Sequence, residues 1–208
     1  LETIYYIDAE GEEVRASRLA EWLGVAQPTV AATLQRMVRD GLVAISVAKA
    51  VSLTPRGREA AASVVRRHRV AERWLTDVLG LDWLQADEEA GRLEHALSDD
   101  VAERLFRHIG EPRTCPHGNP IPGVPPDGKG ERRLRDLPPG QVSRVRRVSE
   151  VSEHETPELL RFLTSSGLGL GAEVRCQEIN KGGGTQTVRV GRREVAMALE
   201  VAGKIWVE

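Results

Sequence analysis

Two short helical patterns separated by Gly24-Val25 constrain this 208-residue chain more than any other feature. Ser17 can cap the first, which runs to Leu23 with Ala20 and Leu23 facing inward. The second opens at Ala26 or Gln27. Pro28 falls in its first turn, where the missing N–H would have no helical partner in any case. That segment carries Val30, Leu34 and Met37 on one face and stops near Asp40-Gly41, where glycine suits a helix end. A helix, a tight turn and a second helix form the unit that offers a helix end to a DNA groove. Alternating runs at 42–45 and 51–53, around Ala48-Lys49-Ala50, add a two-stranded wing. Residues 1–8 read as a preceding helix and 10–13 as a turn.

Thr54-Pro55-Arg56-Gly57 starts a long helix reaching about residue 79, and Gly80-Leu81-Asp82 breaks it. A further helix begins near Asp87. Ser98 caps another, with Leu105 and Ile109 on its inner face. Residues 110–130 are rich in proline and glycine and read as loop and linker. Beyond them, segments 141–145, 172–176, 187–190 and 205–207 alternate, with Gly182-Gly183-Gly184 as a hairpin turn and one helix at 158–163. A small antiparallel barrel fits that pattern.

Metal-competent residues cluster in the middle of the chain. His68 and Glu72 lie four apart on the long helix and so face the same way. Asp87, Gly91, Glu94 and His95 share a face if their segment is helical. Residues 71–128 hold more acids than bases, as a cation site requires, whereas the whole chain balances 29 Lys and Arg against 31 Asp and Glu. That balance excludes a general basic coat. DNA contact is expected instead from Gln27, Pro28, Thr29, Thr33 and Arg36 on the second helix and from Lys49 on the wing. The stripe Ala90, Leu93, Leu97, Val101, Leu105 and Ile109 suits a partner helix and predicts a homodimer.

Cys115 and Cys176, the only cysteines, make neither a disulfide framework nor a four-cysteine zinc site, and they read as idle thiols of a cytoplasmic protein. His108, His117 and His154 have no partner at ligand spacing. No run is apolar enough for a membrane span, and no signal peptide is visible. Neither a His-Glu-x-x-His motif nor an activated nucleophile is present, so a metal-dependent hydrolase is the weaker alternative and no small-molecule substrate is expected.

The order of helix-turn-helix, wing, Arg66-Arg67-His68-Arg69, Glu94-His95 and Gly118-Asn119-Pro120-Ile121-Pro122-Gly123 resembles the diphtheria toxin repressor family over essentially the whole chain. The resemblance implies a mainly α fold with β. A winged helix-turn-helix would occupy 1–62, a helical metal-binding and dimerisation domain 63–128, and an SH3-like barrel 129–208. It also implies a cytoplasmic homodimer that binds double-stranded operator DNA when loaded with Mn(II) or Fe(II) and represses metal-uptake genes, and that is not an enzyme. One metal site would use His68, Glu72, Asp87, Glu150 and Glu153. A second would use Glu94, His95, residue 91 and a residue before Leu1. The family has cysteine or glutamate at position 91, whereas Gly91 offers only a backbone carbonyl. Loss of sulfur there favours manganese. It also keeps open a metal-independent DNA-binding or scaffold protein with a decayed site.

Overall fold

The structure, a computed structural model, describes residues 1–125, 130–151 and 157–208. Its N-terminal part is set by two left-handed glycines. Gly24, at φ 61°, ends α2 (Ala16–Leu23), and Gly41, at φ 68°, lies just beyond α3 (Gln27–Arg39). With α1 (Glu2–Ala9), these helices bury Ile4, Ile7, Leu19, Val30 and Leu34 in one apolar cluster. Strands β1 (Val43–Ile45) and β2 (Val51–Leu53) pair antiparallel as the wing. Two local expectations fail. Ser17 is not the cap: Arg15, held extended by a bridge to Ala50, precedes the helix without a side-chain cap bond. Leu23 is 52% exposed because the turn at Gly24 carries it off the core face, whereas Ala20 is buried.

Thr54 accepts the amide of Gly57 at 3.0 Å and starts α4 (Pro55–Asp77), the longest helix, which runs from the wing into the body. Gly57 is a packing requirement, since a Cβ there would sit 1.8 Å from the carbonyl oxygen of Leu42. Helix α5 (Trp83–Leu93) begins four residues before Asp87, because Asp82 caps it through the amide of Gln85. Glu94 and His95 lie in the turn that follows it. Ser98 caps α6 (Asp99–His108). Much of the expected partner stripe is used within the chain: Ala90 is fully buried with Leu93 and Leu97 against α4, and Leu105 and Ile109 pack around Val70, Phe106 and Ile121. Val101 is left 43% exposed.

The C-terminal part is an SH3-like barrel. Strands β3 (Arg132–Arg133), β4 (Val142–Val148), β5 (Glu173–Asn180), β6 (Thr185–Val190), β7 (Arg193–Ala198) and β8 (Ile205–Val207) form one antiparallel sheet in the order β3-β8-β4-β5-β6-β7. Helix α7 (Pro157–Ser166) covers a core of Val145, Leu160, Leu163, Val174, Val188 and Ile205. The one-turn helix α8 (Leu199–Ala202) leads into β8. The sequence pattern did not single out β3, β7 or α8.

Candidate metal centre

Three elements converge on His68 of α4. The ring Nδ1 lies 2.8 Å from Glu94 Oε2, and Nε2 lies 3.2 Å from Asp87 Oδ1. From α1 comes Glu2, whose Oε1 accepts the Tyr6 hydroxyl at 2.8 Å. Glu2, His68 and Glu94 each offer a ligand atom within 4.8 Å of the others. Burial alone would lower the His68 pKa. The hydrogen-bonding carboxylates of Asp87 and Glu94, with Glu72 nearby, more than offset it and hold the imidazole well above its usual value. Burial, reinforced by Glu94, raises the carboxyl of Glu2. Protons thus sit where a cation's charge would otherwise stand.

His95 stands on the solvent side, 72% exposed, with Nε2 3.7 Å from Glu94 Oε1. Glu94 therefore lies between two imidazoles. Gly91 lies on the same wall with open space beside its Cα, so no side chain contributes there.

The grouping differs from the one expected. His68 joins Glu94 and Asp87 in one cavity of about 360 Å³ between α1, α4 and α5, which Glu72 and Glu150 also line. Glu72, one turn further along α4, also meets His117 Nδ1 at 2.5 Å, with Cys115 completing a second buried group within 4.8 Å. His117 is thus paired with Glu72, and Cys115 is buried within ligand reach of both. Their signal was a thiol and an imidazole two positions apart in a turn, Cys115-Pro116-His117, with no helical spacing to mark it. Burial would lower the His117 pKa, but the charge and hydrogen bond of Glu72 raise it. The Trp83 ring meets the His117 ring edge-on at 5.0 Å.

The turn is tied to the barrel. The His117 carbonyl accepts the Val148 amide at 2.9 Å, and Asn119 donates to the Val148 carbonyl at 2.9 Å. Gly118, at φ 87°, permits this approach; a Cβ there would lie 2.0 Å from the Arg146 carbonyl oxygen. Just past β4, Glu150 grips the guanidinium of Arg69 with both oxygens, one bond measuring 2.7 Å. It also faces the cavity lined by His68 and Glu72. Glu153 lies outside the described residues.

Imidazole and carboxylates without sulfur suit a hard or borderline divalent ion in the first group, while the Cys115 thiol gives the second a softer donor. The donor sets fit a divalent metal.

On the opposite end of the N-terminal module, Gln27, Pro28, Thr29 and Arg36 are exposed on α3 and Thr33 is half-buried, with Arg36 donating to its hydroxyl at 3.4 Å. Lys49 occupies the wing turn at φ 63°, its amide bonded to the Ser46 carbonyl at 2.9 Å.

Family models match almost end to end. They are an iron dependent repressor N-terminal DNA binding domain over residues 1–51, an iron dependent repressor metal binding and dimerisation domain over 54–123, and a FeoA domain over 132–208. The chain is 38% identical over 219 residues to the iron-dependent repressor IdeR of Mycobacterium tuberculosis, covering 100% of this chain and 94% of that one. It is 41% identical over 183 residues to the diphtheria toxin repressor of Corynebacterium efficiens, covering 84% and 79% respectively. A solved manganese-dependent transcriptional repressor in complex with manganese superposes with a TM-score of 0.88 at 32% identity, covering 99% of this chain and 96% of that one. With the helix-turn-helix, the carboxylate–imidazole groups and the barrel all in place, the chain belongs to the iron-dependent repressor family, that of the diphtheria toxin repressor.

Proposed function

We propose that this protein is a metal-activated transcriptional repressor that binds Mn(II) or Fe(II), grips double-stranded operator DNA as a homodimer in the cytoplasm and controls metal-uptake genes. The observation that carries the reading is the meeting of Glu2 with His68 and Glu94. Glu2 belongs to the first helix of the DNA-binding module, and the other two belong to the helical body. A cation held by all three fixes the module's angle on the body and so sets the spacing of two recognition helices in a dimer.

Under this reading Asp87 and His95 complete the shell, Gly91 lends at most a carbonyl, and Glu72 with His117, Cys115 and Glu150 forms the second site. Gln27, Pro28, Thr29, Thr33 and Arg36 meet the major groove, and Lys49 meets phosphate. Relatives named as repressors support a regulator over a hydrolase. Among the described residues, no helix is long and apolar enough to cross a membrane.

The test is operator binding by fluorescence anisotropy with Mn(II), with Fe(II) under anaerobic conditions, and with chelator. Metal should tighten binding by roughly 10-fold or more, and His68→Ala should remove most of that gain. Equal binding with chelator would favour the metal-independent reading that Gly91 keeps open.

A further inference from the structure

Among the described residues, the apolar core of the DNA-binding module contains one from far outside it. Val151, just past β4, is fully buried in the cluster formed by Ile4 and Ile7 of α1, Leu19 and Ala20 of α2, Val30 and Leu34 of α3, and the wing residues Val43 and Val51. Its immediate neighbour is Glu150, which holds Arg69 in the ion pair and faces the cavity between the two metal groups. Arg69 in turn lies 5.9 Å from the Tyr6 ring, which stacks on Trp22 of α2 at 6.4 Å. Residues 148–151 are therefore fixed from two directions. The Val148 amide is bonded to the carbonyl of His117, in the second metal group, and Val151 sits among the helices of the DNA-binding module.

We propose that Val151 is a positioning residue for DNA binding. It acts as a plug by which the barrel completes the core of the DNA-binding module, and it transmits the setting of Glu150 at the metal groups to α1 and α2. The inference rests on the metal-activated reading above. Val151 is fully buried, so the module's apolar core is incomplete unless the segment past β4 is docked. Glu150 and Val151 share one peptide bond, so a cation that takes Glu150 from Arg69 and shifts its backbone moves the plug with it.

The test compares wild type with Val151→Ala and with Val151→Thr, which keeps the shape and changes one methyl to hydroxyl. The readout is hydrogen exchange of amides in α2, residues 16–23, with and without Mn(II); α1 is left out because its Glu2 meets the cation directly under the reading above. A merely structural residue would loosen these amides equally in both states. The proposal predicts that the metal-induced gain in protection, present in wild type, falls at least several-fold in both variants. Mn(II) affinity at the His68 group, measured by competition with a chromogenic chelator, should stay within about two-fold of wild type. Should Val151→Ala fail to fold, Val151→Thr decides alone. If the metal-induced protection persists undiminished in the variants, the plug is overturned. If wild type itself shows no metal-induced protection, the metal-activated reading fails instead.

Discussion

At the scale of single residues, His68 and Glu2 favour their protonated forms. His68 holds its proton well above the usual imidazole range because Asp87, Glu94 and Glu72 outweigh its burial, and Glu2 holds its own above the usual carboxyl range through burial, reinforced by Glu94. A metal must displace these protons, so apparent affinity should rise as pH climbs through the ordinary imidazole value and beyond it, with proton release on binding. Calorimetry in buffers of different ionisation heat measures that release, and His68→Ala should cut it by roughly one proton; an unchanged count would remove His68 from the site. Gly118 is a second single-residue dependence. Alanine there meets both a positive φ of 87° and the Arg146 carbonyl. Loss of about 2–4 kcal/mol of stability is expected from strain and overlap together, read as a fall in melting temperature. Lys49→Gly relieves a left-handed lysine while removing its charge. It should therefore leave stability unharmed yet flatten the salt dependence of DNA binding by about one unit of slope, a result that would fail to appear if the wing stands clear of the backbone.

At the scale of elements, punctuation was the legible part. Gly24, Gly41, Thr54 and Ser98 mark helix ends by local chemistry, and all four act where that chemistry places them. The misreadings share one cause, which is that a distant partner decided the outcome. Ser17 has the composition of a cap, but the bridge between Arg15 and Ala50 sets the helix start. The stripe from Ala90 to Ile109 is no misreading: Ala90 is buried within the chain, but Leu93, Leu97, Leu105 and Ile109 are only partly so and Val101 is exposed, in the segment matched by the dimerisation-domain model. Strand β7 offers only Val195 and Met197 as inward residues, too short an alternation to stand out. His68, Glu72, Asp87 and Glu94 were found by helical spacing, but their division between two groups follows from the crossing of α1, α4 and α5, which spacing along one helix does not encode. Cys115 and His117 lie in a loop and became visible only once β4 held that loop against Glu72.

At the scale of the whole molecule, the barrel and the DNA-binding module share a polar seam as well as the Val151 plug. Arg133 donates to the Glu10 carbonyl at 2.7 Å. Arg147 stands 3.5 Å from the Glu10 carboxylate, and its guanidinium lies 3.7 Å above the Trp206 ring. Burial, with Glu150 nearby, lifts the Glu10 carboxyl to about 7 despite Arg147 and Arg133. A raised carboxyl favours the protonated form in the folded state. The folded chain therefore binds the extra proton between the unfolded value, near 4.5, and about 7, and stability falls as pH rises through that window. Glu10→Gln should reduce this loss. Urea unfolding at about pH 5 and about pH 8 checks it: a pH dependence equal to wild type would show that the seam tolerates the charge.

The strand order carries a consequence for synthesis. Strand β8 lies between β3 and β4, so β3 has no partner strand and β4 is paired only with β5 until residues 205–207 have left the ribosome. The DNA-binding module and the helical body emerge well before that moment and fold first. Each newly made molecule therefore passes through an interval in which its operator-reading helix exists but the barrel that supplies Val151 and Glu150 has not closed. If Val151 and Glu150 act as proposed, a nascent chain in that interval competes poorly for operators.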